Sequence, residues 1–398
     1  MEKTYRISGT GCALVDYLYK PVSFTDETFQ RYLSVKSGDG GLSPGKLVFR
    51  EEFEKFSGDE YRAARKLITG EKPPVAINIG GPSIVSLIHA AQMLYGVPAE
   101  VRFYGSRGLD EGGAFIVEHL KYTPLKIGKF KQTNQYTPFT DVFSDPDYDH
   151  GHGERIFINN IGASWEFLPE DLDKPFFQSN IVVFGGTALV PHIHHSLMKL
   201  LKKAKDNHAI TVVNTVYDFL SEKQNPMAPW PMGESVETYK YIDLLITDME
   251  EALRLSGRQT VEEALMFFRG TGVGAVIVTH GANPVHYFSQ SPLFGFAEGR
   301  KPVSAMIKDE IIQHPERVGD TTGCGDNFAG GVIASIALQQ IENPDIMPID
   351  LDKALTFGIV SGGYACFYHG GTFIEDYPDE KMDMLIPYLE DYLLQTTS

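Results

Sequence analysis

The sequence predicts an α/β fold with three layers, α/β/α, in which a mostly parallel central sheet lies between two layers of helices, and with a small β-rich lid. Three observations support this prediction. Short, fully apolar strands alternate with helices along most of the chain, which is typical of a parallel sheet covered on both faces. Two polar, turn-rich regions interrupt that alternation. A glycine-rich turn near residue 320 opens directly into an apolar helix.

The alternation begins at the N-terminal end of the chain. Residues 5–15 have the pattern of a strand that reaches a turn. Apolar residues then recur at helical spacing from Ile84 to Leu94, and Ser83 is placed to cap that helix. The later predicted elements are strand 101–104, helix 111–120, strand 181–184, helix 192–203, strand 210–213, strand 244–246, a helix through residue 253, helix 261–268 and strand 275–279.

The two interrupting regions predict the lid. Residues 20–75 carry several glycines, a charged stretch and a Lys-Pro-Pro hinge, and residues 130–162 are polar and β-prone. We expect one compact domain over residues 1–398, with a lid formed from parts of about 17–75 and 130–162.

Composition excludes several classes of protein. Hydrophobic residues make up 42% and charged residues 22%, which argues against wholesale disorder. Lys and Arg number 35 and Asp and Glu 52, so the net charge is −17. This charge argues against a nucleic-acid partner and against an anionic membrane surface. A phosphorylated small ligand stays compatible with it, because a few backbone amides suffice to hold a phosphate.

The sequence predicts a cytoplasmic protein. Its three cysteines lie far apart and form no disulfide framework or zinc pattern, which is typical of a reducing compartment. The first residues lack the apolar core of a secretory signal, and no apolar run reaches the roughly 18 residues of a membrane helix.

The glycine-rich turn, residues 319–331, is the most informative segment. Glycines allow the backbone to approach a ligand closely, and the first amides of a helix have no partners within the helix. Together with the helix dipole they favour a phosphate. The segment lacks the Walker pattern GxxxxGK[ST], and Gly9-Thr10-Gly11 lacks the third glycine of a dinucleotide fingerprint. The latter argues against a Rossmann-type oxidoreductase.

Asp326 lies within this turn and has two interpretations. A carboxylate at a helix N-terminus is commonly a cap. Alternatively, it acts as a general base that takes a proton from an attacking hydroxyl while the amides hold a phosphoryl group.

Residues 320–328, Asp-Thr-Thr-Gly-Cys-Gly-Asp-Asn-Phe, closely resemble the C-terminal signature of the PfkB (ribokinase-like) carbohydrate kinases, which usually have Ala in place of Cys324. Weaker landmarks of that family follow in the expected order over about residues 5–372. They are Ser8–Asp16, Gly80-Gly81, the segment 103–113, Gly153–Arg155, Asp248–Ala252 and Thr279–Gly281.

This resemblance implies ATP-dependent phosphorylation of an alcohol with Mg²⁺. It makes Asp326 the catalytic base and the amides of Gly323, Cys324 and Gly325 the anion hole. Further roles that it implies are acceptor binding by Asp16, Gly80 and Gly81; Mg²⁺ organisation by Glu251 with Asp248; nucleotide contacts by Thr279, Gly281 and Thr322; and a K⁺ contact by Asp320, because many relatives bind potassium near the start of the signature.

Simpler structural roles compete with these assignments. Asp16 is also suited to capping a turn, Glu251 to an exposed helix face, Gly80-Gly81 to a tight turn, and Thr279–Gly281 to a plain end of a strand.

Departures from the family pattern leave the acceptor open. Ile84 and Val85 stand where the family has an asparagine that commonly meets sugar hydroxyls. Asp248 replaces the asparagine of the Asn-x-x-Glu motif, and Pro284 replaces a common glycine. We expect a small sugar or sugar-acid substrate. The alternatives are a nucleoside of the adenosine-kinase type, since the long lid region resembles theirs, and a kinase-fold binding protein without catalysis. The resemblance leaves the oligomeric state open: simple family members often form a homodimer through the lid, whereas nucleoside kinases with large lids are often monomers.

Overall fold

The computed structural model describes residues 4–36, 38–319, 321–344 and 347–397. Their strands are β1 (Tyr5–Gly11), β2 (Leu14–Tyr19), β3 (Leu47–Phe49), β4 (Ala76–Gly80), β5 (Ala99–Arg107), β6 (Lys126–Gln132), β7 (Phe139–Asp145), β8 (Glu154–Asn160), β9 (Ile181–Gly185), β10 (Ile210–Asn214), β11 (Leu244–Asp248), β12 (Ala275–His280), β13 (Asn283–Ser291) and β14 (Gly295–Lys301).

Helices cover these strands on both sides. They are α1 (Glu27–Gln30), α2 (Arg50–Ser57), α3 (Tyr61–Thr69), α4 (Pro82–Met93), α5 (Glu111–Leu120), α6 (Tyr148–Gly151), α7 (Lys174–Phe177), α8 (Pro191–His194), α9 (Leu197–Asp206), α10 (Phe219–Gln224), α11 (Met249–Ser256), α12 (Val261–Thr271), α13 (Ala305–Gln313), α14 (Cys324–Glu342), α15 (Leu351–Tyr364) and α16 (Glu380–Thr397).

The central sheet confirms the predicted α/β class. Its strand order is β14-β13-β12-β11-β10-β9-β1-β5-β6, and all neighbours from β12 to β6 pair in parallel. Only β13 and β14 add antiparallel pairs at one edge. One hydrophobic core on each face covers the sheet, and helix α14 is buried from Asn327 to Ala337 within one of them. The carboxyl ends of the parallel strands therefore share one edge, where open α/β sheets bind ligands.

A second, five-stranded sheet has the order β3-β8-β7-β2-β4. Together with α1, α2 and α3 it forms what we call the lid. Strand β1 of the central sheet runs into β2 of the lid through residues 12–13 only. The lid sheet thus includes the start of β2 and all of β4, which lie outside the segment 17–75.

One face of the lid sheet has its own hydrophobic core. Phe53 of α2 and Tyr61 of α3 are buried with Phe143 and Ile158 of the sheet. The charged stretch around residue 50 forms an amphipathic helix that packs on this sheet.

Three local predictions need correction. Gly81, not Ser83, occupies the N-cap of α4, and Ser83 lies inside the helix with a buried hydroxyl. The predicted helix 192–203 is two helices, α8 and α9, since the chain leaves the helical path at Ser196. The predicted strand 5–15 is interrupted at residues 12–13, where the chain passes from one sheet to the other. Among the described residues, no helix is both long and apolar enough to cross a membrane.

Candidate active site

The site is built around the N-terminus of α14. Gly323 precedes the helix with φ +77°, and a Cβ on it would overlap the Cα of Gly371. Only glycine fits this left-handed, tightly packed position. The next two residues begin the helix, and a Cβ on Gly325 would meet nothing within 4 Å. The Cys324 amide makes a long hydrogen bond of 3.4 Å to the Thr321 carbonyl, so it is already partly engaged.

Asp326 lies in the first turn of α14, where its side chain is partly exposed. Removal of the carboxylate from bulk water raises its pKa to about 7. A carboxyl group with this pKa can accept a proton near neutral pH, which is the property that a general base requires.

Asp16 lies opposite, on the first strand of the lid. A Cβ on Gly80 of β4 would overlap Oδ2 of Asp16, so the glycine leaves room for that carboxylate. A Cβ on Gly81 (φ +103°) would lie 2.7 Å from the Cys12 carbonyl oxygen. After burial, the charges of Asp16 and then Asp326 raise the pKa of the Cys12 thiol, so both carboxylates lie near it. The hinge between the two sheets thus brings the predicted base and the predicted acceptor ligand together.

A row of polar side chains extends from Asp16 across the lid sheet. Asn78, Asp16, Thr140 and Asn159 are paired in register on four adjacent strands, and their side chains therefore share one face. The Asn159 amide donates to the Thr140 hydroxyl at 3.0 Å. Such a row offers amide, carboxylate and hydroxyl oxygens, which suit the hydroxyl groups of a polyol.

The polar row is continued by aromatic residues. Phe49 of β3 is in register with Asn159, and its ring meets that of Phe219 edge-on at 6.3 Å. These two rings, with Phe157 and Tyr217, line a cavity of about 760 Å³ between the lid and the central domain. We call this the aromatic cleft.

The lid is tied to the glycine turn of α14. The Asn78 amide donates to the His369 carbonyl at 2.8 Å and to that of Thr372 at 3.4 Å. Gly371, in the same loop, lies against Gly323. Residues 369–372 thereby connect the predicted acceptor-binding strands of the lid to the predicted anion hole.

Asp248 and Glu251 lie at the carboxyl end of β11. They form a reciprocal capping box, in which the Glu251 amide donates to Asp248 Oδ1 at 2.8 Å. Oε2 of Glu251 accepts from the Thr215 hydroxyl and, at 3.4 Å, from the Thr247 hydroxyl and the Asp248 amide. Glu251 is thus buried and is not the exposed helix carboxylate that the simpler interpretation required.

Burial raises the pKa of both carboxyl groups, and neighbouring negative charge adds to the shift of Glu251. Burial first, and then the charge of Asp248, raise the pKa of Glu251 to about 8, and Asp326 adds to this effect. Burial also raises the pKa of Asp248. Oxygen ligands with uncompensated negative charge fit Mg²⁺, which binds through one or two carboxylates and keeps several waters. No cluster of three or more His, Cys, Asp and Glu suited to a metal occurs among the described residues.

The predicted nucleotide residues line a separate cleft. Thr279, the penultimate residue of β12, is in register with Asp248 on β11, and Gly281 follows the strand in a left-handed conformation with φ +52°. Asp248, Thr279 and Gly281 line a cavity of about 670 Å³ with Arg254 and Arg258. Thr322 is exposed and lies within the glycine-rich turn, just before Gly323. Asp320, the predicted K⁺ contact, lies outside the described residues.

Sequence reasoning missed Lys381. It is fully buried in the first turn of α16, and its ammonium lies 2.8 Å from the Tyr368 hydroxyl. Tyr368 in turn donates to Asn327, a residue of the signature itself. No local pattern in the sequence indicated this contact, because Lys381 is 54 residues away from Asn327 in the chain.

Cys324 allows a test of how the anion hole works. Its Sγ lies 3.5 Å from Sγ of Cys366 in the reduced protein. Because only the backbone amide of Cys324 belongs to the predicted anion hole, we expect Cys324→Ala to keep kcat within about twofold of the wild type. Steady-state assays of phosphoryl transfer would check this, with Cys366→Ala as the matched control. A loss of more than tenfold in Cys324→Ala alone would show that the thiol itself participates.

Comparison with known proteins gives a consistent result. The family model described as "pfkB family carbohydrate kinase" matches residues 58–376. The adenosine kinase of Schizosaccharomyces pombe is 26% identical over 329 residues, which cover 79% of this chain and 87% of that protein. A probable fructokinase-5 of Arabidopsis thaliana is 25% identical over 244 residues, covering 59% of this chain and 67% of that protein. The structure of an adenosine kinase from Sinorhizobium meliloti superposes with a TM-score of 0.68 at 17% identity, covering 96% of this chain and all (100%) of that chain, which shows a shared fold.

Proposed function

The chain belongs to the PfkB family of carbohydrate kinases, phosphotransferases with a hydroxyl group as acceptor, and from that premise we propose that it transfers the γ-phosphoryl group of ATP to a small polyol with Asp326 as the base. The observation that carries this proposal is the position of Asp326. It lies at the N-terminus of α14 with a pKa raised to about 7; its charge acts on Glu251, and both it and Asp16 act on the Cys12 thiol.

The proposed reaction uses three parts of the site. ATP lies in the cleft of Asp248, Thr279 and Gly281, with its γ-phosphoryl group at the amides of Gly323–Gly325. Asp16 orients the acceptor, and Asp326 takes the proton of the attacking hydroxyl. The acceptor oxygen forms a bond to the γ-phosphorus, the bond from that phosphorus to the bridging oxygen breaks, and ADP leaves.

Two cations belong to this proposal. Glu251 and Asp248 would hold Mg²⁺ through oxygen ligands and water, where the cation would neutralise phosphate charge. A K⁺ contact by Asp320 stays a prediction from the family resemblance.

The acceptor carries a sugar moiety in either version of the proposal. The polar row from Asn78 to Asn159 suits the free sugar or sugar acid that the sequence predicted. The aromatic cleft favours the second candidate, a nucleoside, since its rings offer stacking surfaces for a planar base. The similarity to an adenosine kinase over 79% of the chain also supports the nucleoside.

An ADP-release assay with ATP and Mg²⁺ tests the function. The acceptor panel pairs each nucleoside with its free sugar, for example adenosine with ribose, and adds hexoses and sugar acids. Turnover that depends on one acceptor supports the kinase and names the acceptor class. Intact ATP binding without turnover on any acceptor would favour the non-catalytic binding protein.

A matched pair of variants separates the two acceptor classes. Phe219→Leu removes an aromatic ring from the cleft, whereas Phe296→Leu makes the same change at a site that is 81% exposed. For a nucleoside kinase we expect Phe219→Leu to raise the acceptor KM about 3- to 10-fold. An unchanged KM in both variants would favour a free sugar.

The pH dependence of catalysis follows from Asp326. Because the pKa of this carboxyl group is raised to about 7, the base is protonated and inactive below that pH and ionised above it. We expect kcat/KM for the acceptor to rise with pH through about 7 and then to level off, because Asp326 is ionised at higher pH. A rate that is already constant from pH 5 upward would contradict the raised pKa.

The lid surface bears on oligomeric state. Helices α2 and α3 cover one face of the lid sheet with a hydrophobic core, so that face is closed to a second subunit. We therefore favour a monomer over a homodimer formed through this face. Light scattering coupled to gel filtration would decide between them.

A further inference from the structure

Lys381 lies where both the helix dipole and burial disfavour a positive charge. It is the second residue of α16, where the positive end of the helix dipole disfavours a cation. Its relative exposure is 0%, and burial of an ammonium without a full counter-charge is costly. Burial lowers the pKa of Lys381 to about 7, although Glu375 partly offsets this effect. A buried lysine at a helix N-terminus calls for a role beyond packing.

A chain of hydrogen bonds, in which each group donates to the next, connects Lys381 to the turn of the predicted anion hole. The ammonium donates to the Tyr368 hydroxyl at 2.8 Å and lies 3.5 Å from Asn327 Oδ1. Tyr368 donates to Asn327 Oδ1 at 2.8 Å. Nδ2 of Asn327 then donates to the carbonyl oxygens of Gly323 at 2.9 Å and Gly371 at 2.8 Å.

Asn327 thus clamps the two glycines whose close approach shapes the turn before α14. With Oδ1 fixed as an acceptor by Tyr368 and Lys381, Nδ2 must face Gly323 and Gly371, so the orientation of the amide is determined by the lysine side. The surroundings hold Lys381 in place: its ammonium lies 4.3 Å from the Tyr368 ring centroid and 5.0 Å from that of Phe373.

We propose that Lys381 is a positioning residue for phosphoryl transfer, which acts through Tyr368 and Asn327 to hold the Gly323–Gly325 amides in the geometry that stabilises the transferred group. This inference rests on the proposed kinase function. It extends that function to a buried residue of α16, which reaches the glycine turn only through Tyr368 and Asn327.

The test compares Lys381→Met with Lys353→Met, the same change at a lysine whose side chain is 43% exposed. Methionine is unbranched like lysine, is only one atom shorter and removes the buried charge, so Lys381→Met should unfold at a temperature no lower than the wild type. We expect its kcat to fall about 10- to 100-fold while KM for ATP and for the acceptor stays within twofold, since small displacements of a catalytic group have effects of this size. Lys353→Met should retain the wild-type kcat.

Tyr368→Phe breaks the middle of the chain and should lower kcat to a similar extent. The double variant should be no slower than the slower single variant, because both act through Asn327. A kcat of Lys381→Met within twofold of the wild type, or strictly multiplicative losses in the double variant, would overturn the proposal.

A second readout separates this proposal from the kinase function. Amide hydrogen exchange of the peptide that spans residues 321–328 should be faster in Lys381→Met than in the wild type, whether or not an acceptor is known. If the wild type phosphorylates no acceptor, the proposed function fails, and exchange alone then decides: unchanged exchange in Lys381→Met overturns the positioning role.

Discussion

Replacement of Asp326 by Asn is expected to lower kcat about 10³-fold while ATP binding is retained. The amide has nearly the shape of the carboxylate and can occupy the same place in the first turn of α14, but it cannot accept a proton from the acceptor hydroxyl. General-base catalysis commonly contributes about 10²- to 10⁴-fold, which sets the expected loss. The measurement is ADP release at saturating ATP and acceptor, together with the dissociation constant of ATP from calorimetry.

The same substitution is expected not to destabilise the fold. Burial raises the pKa of Asp326 above that of an unfolded chain, so stability falls as the pH rises from the unfolded value to about 7, and above that pH the folded protein holds an ionised carboxylate away from water. An uncharged amide removes that penalty, and the midpoint of urea unfolding at pH 8 should be equal to or higher than that of the wild type. Wild-type kcat in Asp326→Asn would show that another group serves as the base.

Local signals predicted individual elements well where caps and periodicity agree. Helix α5 begins and ends at the predicted residues 111 and 120, because Asp110 caps it by accepting from the Gly113 amide at 3.0 Å. The prediction for α4 was wrong at its cap, since Gly81 can adopt φ +103° and thereby starts the helix before Ser83.

The lid shows where local signals fail. Helices α2 and α3 are short and strongly polar, and their burial depends on single aromatic residues such as Phe53 and Tyr61. Those side chains are buried only because the lid sheet supplies Phe143 and Ile158 as partners. No pattern within residues 50–69 carries that information, because the partners come from β7 and β8.

The candidate site was predictable from the residues only where its members are contiguous in sequence. The glycine turn and Asp326 are contiguous in sequence, so a local pattern indicated an anion-binding helix start with a carboxylate. The approach of Asp16 to Asp326 depends on the passage of the chain from β1 into the lid, and only the family resemblance indicated it. Lys381 had neither a local pattern nor a family landmark, and its place beneath the signature follows from the packing of α16 alone.

Two glycines of the signature are expected to respond in opposite directions to the same methyl group. At Gly323, alanine would have to adopt φ +77° with its Cβ overlapping the Cα of Gly371, and backbone cannot yield as a flexible side chain does. At Gly325, which is helical, the added Cβ meets nothing within 4 Å. Left-handed strain and overpacking together should lower the free energy of unfolding of Gly323→Ala by about 2–4 kcal/mol. The free energy of unfolding of Gly325→Ala should be higher than that of the wild type by up to about 1 kcal/mol, because alanine favours the helix more than glycine does.

Urea unfolding of the two variants beside the wild type measures this difference directly. We also expect Gly323→Ala to lose kcat at least about 100-fold in its folded fraction, since displacement of one anion-hole donor has an effect of that size. Equal unfolding midpoints in the two variants would contradict the tight packing of Gly323 against Gly371. A stable but inactive Gly323→Ala would instead show that residues 369–372 can move aside, and that the geometry of this turn matters to catalysis more than to folding.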